Sequence, residues 1–438
     1  MPQPEPLPLH GKDYKTDPYP LYRDLRQEGP VHRVTFPSGV NAWLVTGYAA
    51  AHSTLNDDRL GKNHDLGNDA WRERAAIMPE PQHSQLQAHL LHQDPPQHTV
   101  MRKLVAEAFA PRHVERMRPR FEEIADELLD TALGTHRDTG ASGVIDVVAA
   151  FAAHFPLRVL TEVIGLPASL AARFDRDWGK VVQPVGPADP QRPVYEARLR
   201  GLQGYIAEVT EDKRRDPGDD LLTRLVVACD EGDITKEEQD SVVFQLLVAG
   251  QEPVTNQITT ALIALLRHPA ELRRLTAALH GGDGADPGLP ARAVEELLRH
   301  DSAFELTTWR FFAEDADLFG TRIPAGDSVI VSLSAANRDP ERFPDADTLD
   351  LDRTPNPHLA FGHGIHFCPG AALARIELQI GLRALLTRLP GVRLAIEDQD
   401  LRWIGAVLAR GVDELPLAYG PSATAPTATG CPVQHRTA

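Results

Sequence analysis

The residues with the most chemical content lie in one segment, Phe361-Gly-His-Gly-Ile-His-Phe-Cys368-Pro-Gly-Ala-Ala-Leu-Ala-Arg375. Cys368 precedes Pro369, and proline is favoured at the first position of a helix. The spacing therefore predicts a helix from Pro369 to about Leu389, with the sulfur at its N-terminus. Unpaired amides and the positive end of the helix dipole stabilise a thiolate there and lower its pKa. Gly362, Gly364 and Gly370 let the backbone pass close to something large and flat, and Phe361 can shield the sulfur from water. Three chemistries fit these residue types. The first is an inert free cysteine at a glycine-rich helix start. The second is a metal site, because His363, His366 and Cys368 are spaced like zinc ligands, although no fourth ligand lies nearby. The third is a Cys–His nucleophile pair, without an evident orienting group.

Two further patterns carry charge or strain. Glu296-Leu-Leu-Arg299 places a carboxylate and a guanidinium on one helix face. Exposed, such a pair is worth under ~1 kcal/mol. Ala249-Gly-Gln-Glu252-Pro253-Val254 lies inside Asp233–Arg267, which reads as one helix of about 35 residues, ~50 Å long. Thr235-Lys-Glu-Glu238 is a capping box at its start, and His268-Pro269 ends it. Pro253 inside that helix lacks an N–H and clashes with the Ala249 carbonyl, so a kink is expected.

At these residues the chain resembles the cytochrome P450 family of haem-thiolate monooxygenases. The family pattern Phe-x-x-Gly-x-x-x-Cys-x-Gly is filled by Phe361, Gly364, Cys368 and Gly370. The resemblance makes Cys368 the axial ligand of haem b, a thiolate whose electron donation favours O–O cleavage. It assigns Glu296 and Arg299 to a buried structural pair completed by Arg353. It supplies propionate partners at His98 and Arg102 in Asp94-Pro-Pro-Gln-His98-Thr-Val-Met-Arg102, at Arg310, and at His366. Phe361, Gly362 and Gly370 join that cofactor site. In the central helix Glu252 fills the family's acid position, with a catalytic role in proton delivery. Pro253 stands where the family usually has threonine, so the alcohol of the proton relay is missing. Thr255 lies about 200° round an ideal helix and is no simple substitute. The departure leaves open four outcomes: a plain kink with ordered water completing the relay, a relay completed by a substrate hydroxyl or amide, oxidative phenol or peptide cross-linking, or a haem protein without turnover.

By the same resemblance the substrate pocket draws on the 60–93 loop, the Gln183–Pro193 region, Val248, Gln251 and Pro253 of the central helix, Phe304, Thr308 and Val407. The substrate is expected to be a small molecule or short peptide of bacterial secondary metabolism. The loop carries His64, His83, His89 and His92, with Trp71 and Arg72; loop histidines are more often solvated. Electrons are expected from a separate ferredoxin and its NAD(P)H-dependent reductase, docking on Lys103, Arg112 and Arg116.

These residues need elements to position them. The pattern gives a helix at Leu21–Glu28, strands at Val31–Thr35 and Val40–Thr46 around Pro37-Ser38-Gly39, and helical sequence from Pro96 to about Leu133. Helices follow at Pro156–Ile164 and Tyr195–Arg214. Ala316–Ile323 and Ser328–Ser332 read as strands, and Ala335 to Gly364 as a long loop-rich stretch. The fold class is mainly α with minor β, an α+β chain. The resemblance makes it one triangular fold with a long central helix over haem. The domain plan is a flexible N-terminus at 1–15, a catalytic domain at 16–419 and a disordered tail at 420–438.

Composition limits the alternatives. The 438 residues carry 45 Lys+Arg against 62 Asp+Glu, a net charge of −17, which argues against nucleic-acid binding. Hydrophobic residues at 42% are enough for a core. Cys229, Cys368 and Cys431 are too few and too scattered for a disulfide framework, so a reducing cytoplasm is expected. No signal peptide is seen, and no run approaches the ~18–20 apolar residues that span a bilayer.

Overall fold

The computed structural model of the chain describes residues 12–36, 39–74, 86–134, 142–174, 178, 190–281 and 285–420. His83, Cys431, the tail beyond Gly420 and residues 183–189 of the Gln183–Pro193 region lie outside them. The architecture is mostly helical with small sheets. Among the described residues, no helix is long and apolar enough to cross a membrane.

The strands are β1 (Val31–Thr35), β2 (Asn41–Val45), β3 (Leu60–Gly61), β4 (Gly143–Asp146), β5 (Arg310–Phe312), β6 (Ala316–Leu318), β7 (Thr321–Ile323), β8 (Ser328–Val331), β9 (Arg393–Leu394) and β10 (Pro416–Tyr419). One sheet runs β1-β2-β8-β5-β3, a second β4-β10-β9. Ala316–Ile323 is not one strand. Phe319 and Gly320 take φ of 53° and 82°, so the chain reverses and pairs Leu318 with Thr321. Positive φ at both central residues is what a two-residue hairpin loop requires. The helical sequence after Pro96 divides into Gln97–Ala106, Pro111–Arg116 and Arg118–Leu133, with prolines in the first turns of the latter two.

The central helix departs most from expectation. It is two helices, Lys236–Ala249 and Glu252–Arg267, separated at Gly250 and Gln251. Pro253 therefore sits in the first turn of a new helix, where a missing N–H costs nothing, and does not kink an interior. Gly250 is required by space: a Cβ there would lie 2.8 Å from both Leu160 Cδ2 and the Leu246 carbonyl. The break is tied to a π-helix at Val148–Ala152. Gln251 Nε2 donates to the Ala153 carbonyl at 3.0 Å, and Thr255 Oγ1 to the Ala152 carbonyl at 2.8 Å. Carbonyls left over by the wider turn thus find partners on the broken helix.

The flexible N-terminus expected at 1–15 is corrected in part. Lys12–Thr16 is helical, and Tyr14 and Lys15 are buried. Lys15 Nζ donates to Glu305 and to the Ala409 carbonyl, and Arg410 donates to the Lys15 carbonyl and, at 2.7 Å, to Asp301. Two buried cations meet two buried carboxylates, so the cluster is neutral overall.

The main apolar core joins Phe121, Phe151, Leu160, Ile258, Leu262 and Leu385 from helices around the break. Under it, Glu296 is fully buried and accepts two 2.7 Å bonds from Arg299, one from Arg353 Nε at 3.2 Å, one from Asn356 Nδ2 at 3.1 Å and one from the Asp350 amide at 3.0 Å. Arg299 also donates to the carbonyls of Asn337, Ala346 and Thr348. One ion pair thereby orders the irregular stretch that leads to Cys368. Removing one partner of such a pair leaves a buried charge alone. Glu296→Ala is expected to cost about 3–5 kcal/mol, read as a lower urea midpoint; a cost under ~1 kcal/mol would show the pair to behave as an exposed one.

Candidate active site

The Cys368 loop is built from short turns. The Cys368 amide donates to the Phe361 carbonyl at 3.0 Å, and the Phe367 amide to that of Gly364, also at 3.0 Å. Gly364 has φ +75°, and a Cβ on it would lie 2.6 Å from the Leu55 carbonyl, so only glycine fits. The following helix begins at Ala371 with Gly370 as its cap, two residues later than expected. The turn at Cys368-Pro369-Gly370 points the Gly370 amide at the sulfur. The net effect on the thiol corrects the dipole argument. Burial pushes its pKa up, and the Gly370 amide, Arg102 and Arg375 only oppose that. A thiolate here needs a cation at the sulfur itself; a coordinated metal deprotonates a thiol outright.

Phe361, Gly362, His366, Cys368 and Gly370 line one cavity together with Arg310. His98 stacks beside His366 with ring centroids 4.4 Å apart, and Arg102 Nη1 donates to the Phe367 carbonyl at 2.6 Å. Nε2 of His98 and Nε2 of His366 are buried without a partner. Sequence reasoning missed Lys62, which is 1% exposed and lines the same cavity. Its amine donates to Thr308 Oγ1 and, at 2.8 Å, to the Trp309 carbonyl. Asp94 fixes its backbone by accepting from the amides of Lys62 and Asn63. Burial, with Lys62 and Arg310 nearby, lowers His366 to about 2, and burial lowers Arg310 to about 10 against the pull of Asp94. So many buried donors with orphaned nitrogens lack only anions.

The apolar part of the cavity comes from the helix break. Val242, Gln245, Leu246 and Ala249 form a stripe at helical spacing, continued by Gly250, Pro253 and Val254. Phe304 and Thr308 line it as well. Val248, Gln251 and Val407 do not. Val248 lies about 100° from the stripe and packs into the core. Gln251 is turned toward Ala153, and Val407 packs with Leu306 and Trp309 against the N-terminal cluster. Glu252 is half-buried and its pKa is raised by that burial, but it is not part of the lining. Glu377 is. It is 1% exposed, its Oε1 has no partner, and burial holds its pKa well above the ordinary range. A carboxylate among Leu373, Ile376 and Ile380 on one helix was the available signal.

The loop histidines are not solvated where described. His64 and His92 rings lie 4.0 Å apart, and His89 and His92 4.3 Å, with His89 buried and the other two half-buried near Lys62. Among the described residues no three His, Cys, Asp or Glu side chains converge as a metal site. Haem fits the arrangement better: one cysteine sulfur, donors for two carboxylates and apolar walls in one cavity.

Comparison with known proteins agrees. The family model "Cytochrome P450" matches residues 196–390. The cytochrome P450 monooxygenase PikC of Streptomyces venezuelae is 41% identical over 93% of this chain and 92% of that protein. The 6-deoxyerythronolide B hydroxylase of Saccharopolyspora erythraea is 37% identical over 93% and 98%. A solved myxobacterial cytochrome P450 with myristic acid superposes with a TM-score of 0.85 at 37% identity, over 95% of this chain and all of that one. A cytochrome P450 for C–S bond formation in chuangxinmycin biosynthesis superposes at 0.80 and 33% identity, over 92% and 94%. Lys62→Met is expected to speed haem loss to an apomyoglobin acceptor by about 10-fold or more, the worth of a charged hydrogen bond. An unchanged rate would remove Lys62 from the cofactor site.

Proposed function

The chain belongs to the cytochrome P450 family and is a monooxygenase, and on that premise we propose that it oxidises a bulky, mainly apolar small molecule of secondary metabolism. The observation that carries this reading is one cavity whose lining includes both Cys368 and the broken-helix stripe from Val242 to Val254. Haem b, when bound, supplies the iron that Cys368 ligates and at which dioxygen is reduced. His98, Arg102, Arg310, His366 and Lys62 hold its carboxylates.

The residues at the break supply unusual proton chemistry. Pro253 has no hydroxyl. Thr255 directs its own to the Ala152 and Gln251 carbonyls. The lining hydroxyls of Thr307 and Thr308 accept from the Val331 amide and from Lys62, which leaves their own protons free to donate. Glu377 is the carboxyl at that wall. Burial raises the pKa of Glu377 at the cavity wall well above the ordinary carboxylate range, and raises that of Glu252 beside Pro253. A hydroxyl or amide of the substrate completes the path from these acids. Oxidative cross-linking is the second reading, supported by the likeness to the cytochrome P450 for C–S bond formation: two substrate hydrogens are removed and both oxygen atoms of dioxygen leave as water, which takes the same two electrons and two protons as oxygen insertion.

Electrons arrive at the face around the Cys368 loop. Ile365 and Phe367 are 57% and 37% exposed there. Lys103, Arg112 and Arg116 are exposed on the helices beside it. This basic and apolar surface suits an acidic ferredoxin.

Glu377→Gln is expected to slow substrate turnover at least about 10-fold with an unchanged haem spectrum, and Glu252→Gln to do so less; wild-type rates in both would exclude a carboxyl relay. Pro253→Thr should change the fraction of electrons lost as peroxide, and equal coupling would show position 253 to be neutral. Lys103→Glu should raise KM for ferredoxin at low salt and leave kcat unchanged; no change in KM would take Lys103 out of the docking face.

A further inference from the structure

The Cys368 segment is gripped by an ion pair that the reaction described above does not use. Arg375, in the first turns of the Ala371–Arg388 helix, donates through Nε and Nη2 to the two oxygens of Glu295 at 2.7 and 2.9 Å. Its guanidinium carbon lies 4.6 Å from the centroid of the Phe361 ring. Glu295 is also bonded to His358 Nε2 at 3.2 Å. Because His358 Nδ1 accepts from the Ala360 amide, Nε2 carries the proton and donates. Glu295 thus ties the loop just before Phe361 to the helix just after Cys368. Its neighbour Glu296 is occupied by Arg299 and Arg353, so the two carboxylates act on different parts of the chain.

The electrostatics are equally specific. Two guanidiniums flank the Cys368 loop: Arg102 bonds the Phe367 carbonyl next to the cysteine, and Arg375 packs on the ring of Phe361, whose carbonyl accepts from the Cys368 amide. Arg102 bonds a carbonyl and has no carboxylate partner among the described residues. Arg375 is compensated by Glu295. The side chains of Arg375 and Glu295 are 32% and 31% exposed, so their fields are only partly screened.

We propose that Glu295 and Arg375 form a charge clamp that sets the reduction potential of the haem bound by Cys368. Glu295 is a positioning residue that acts through Arg375 and the Phe361 ring. The proposal rests on the haem-thiolate reading above. Reduction from ferric to ferrous takes one electron from the donor and adds one negative charge to the iron–thiolate unit. A nearby cation favours the added charge and a nearby carboxylate opposes it. In the intact clamp the two fields largely cancel, so losing either partner moves the potential, with opposite signs.

The test is a spectroelectrochemical titration of substrate-free holoenzyme. Glu295→Gln is expected to shift the midpoint positive and Arg375→Gln negative, with the double variant returning toward wild type. The shifts should shrink as salt is raised, which a merely structural disturbance would not do. Arg375→Lys keeps the charge and should stay near wild type; it carries the test together with Glu295→Gln should Arg375→Gln lose haem. Single variants that shift the same way, or not at all, overturn the clamp. The ferrous carbonyl spectrum of the wild type separates the two levels of the argument. A Soret band without the thiolate red shift would sink the haem-thiolate reading itself, whereas a red-shifted band with static potentials sinks the clamp alone.

Discussion

Burial drives the Cys368 thiol toward its neutral form, yet the iron ligation proposed for it requires an anion. Much of the surrounding structure answers that conflict. The turn at Pro369 aims the Gly370 amide at the sulfur, Arg102 approaches from the Gln97–Ala106 helix, and Arg375 from the helix that follows. None of these outweighs desolvation alone. A metal cation at the sulfur does, which makes the cysteine and its cofactor mutually dependent. The same logic holds at the cavity edge. Burial lowers the pKa of Lys62, Arg310 and His366, and the first and last also feel the positive charge of Arg310.

The broken helix is the other half of the design. A continuous helix would direct its Ala249 and Gly250 carbonyls along its own axis and leave no gap in the wall. Ending at Ala249 and restarting at Glu252 opens that wall, and Pro253 suits the restart because no amide is needed there. The π-helix at Val148–Ala152 makes the break affordable, since Gln251 and Thr255 cap carbonyls that would otherwise be stranded. Loss of the alcohol and gain of a fixed break are thus two results of one residue.

What could be read in the sequence follows contact distance. The Cys368 loop was legible because its geometry is local: glycines, a proline and the cysteine within ten residues specify their own turns. Glu296 and Arg299 were legible because helical spacing puts them together, although only the structure shows Asn356 and the Asp350 amide joining them. Lys62 was not, because nothing between Asp57 and Asn63 has a period, and its burial depends on Thr308 and Trp309 nearly 250 residues away. The helix break was missed because apolar residues run through it in phase, so periodicity alone cannot see an interruption of two residues. Val248 and Gln251 were placed in the pocket by the family resemblance, which does not fix the direction of a single side chain. The N-terminal helix was missed because its five residues give no pattern.

That short helix has a consequence for how the chain is assembled. Lys15 meets Ala409 and Arg410 across a separation of 394 to 395 residues, nearly the full length of the polypeptide. Contacts of such span close late, because the entropy of the intervening loop must first be lost. Until they close, Glu305 has no lysine, and its neighbours Phe304 and Leu306 form part of the cavity wall. The cavity is therefore finished only when the last strand region and the beginning of the chain find each other.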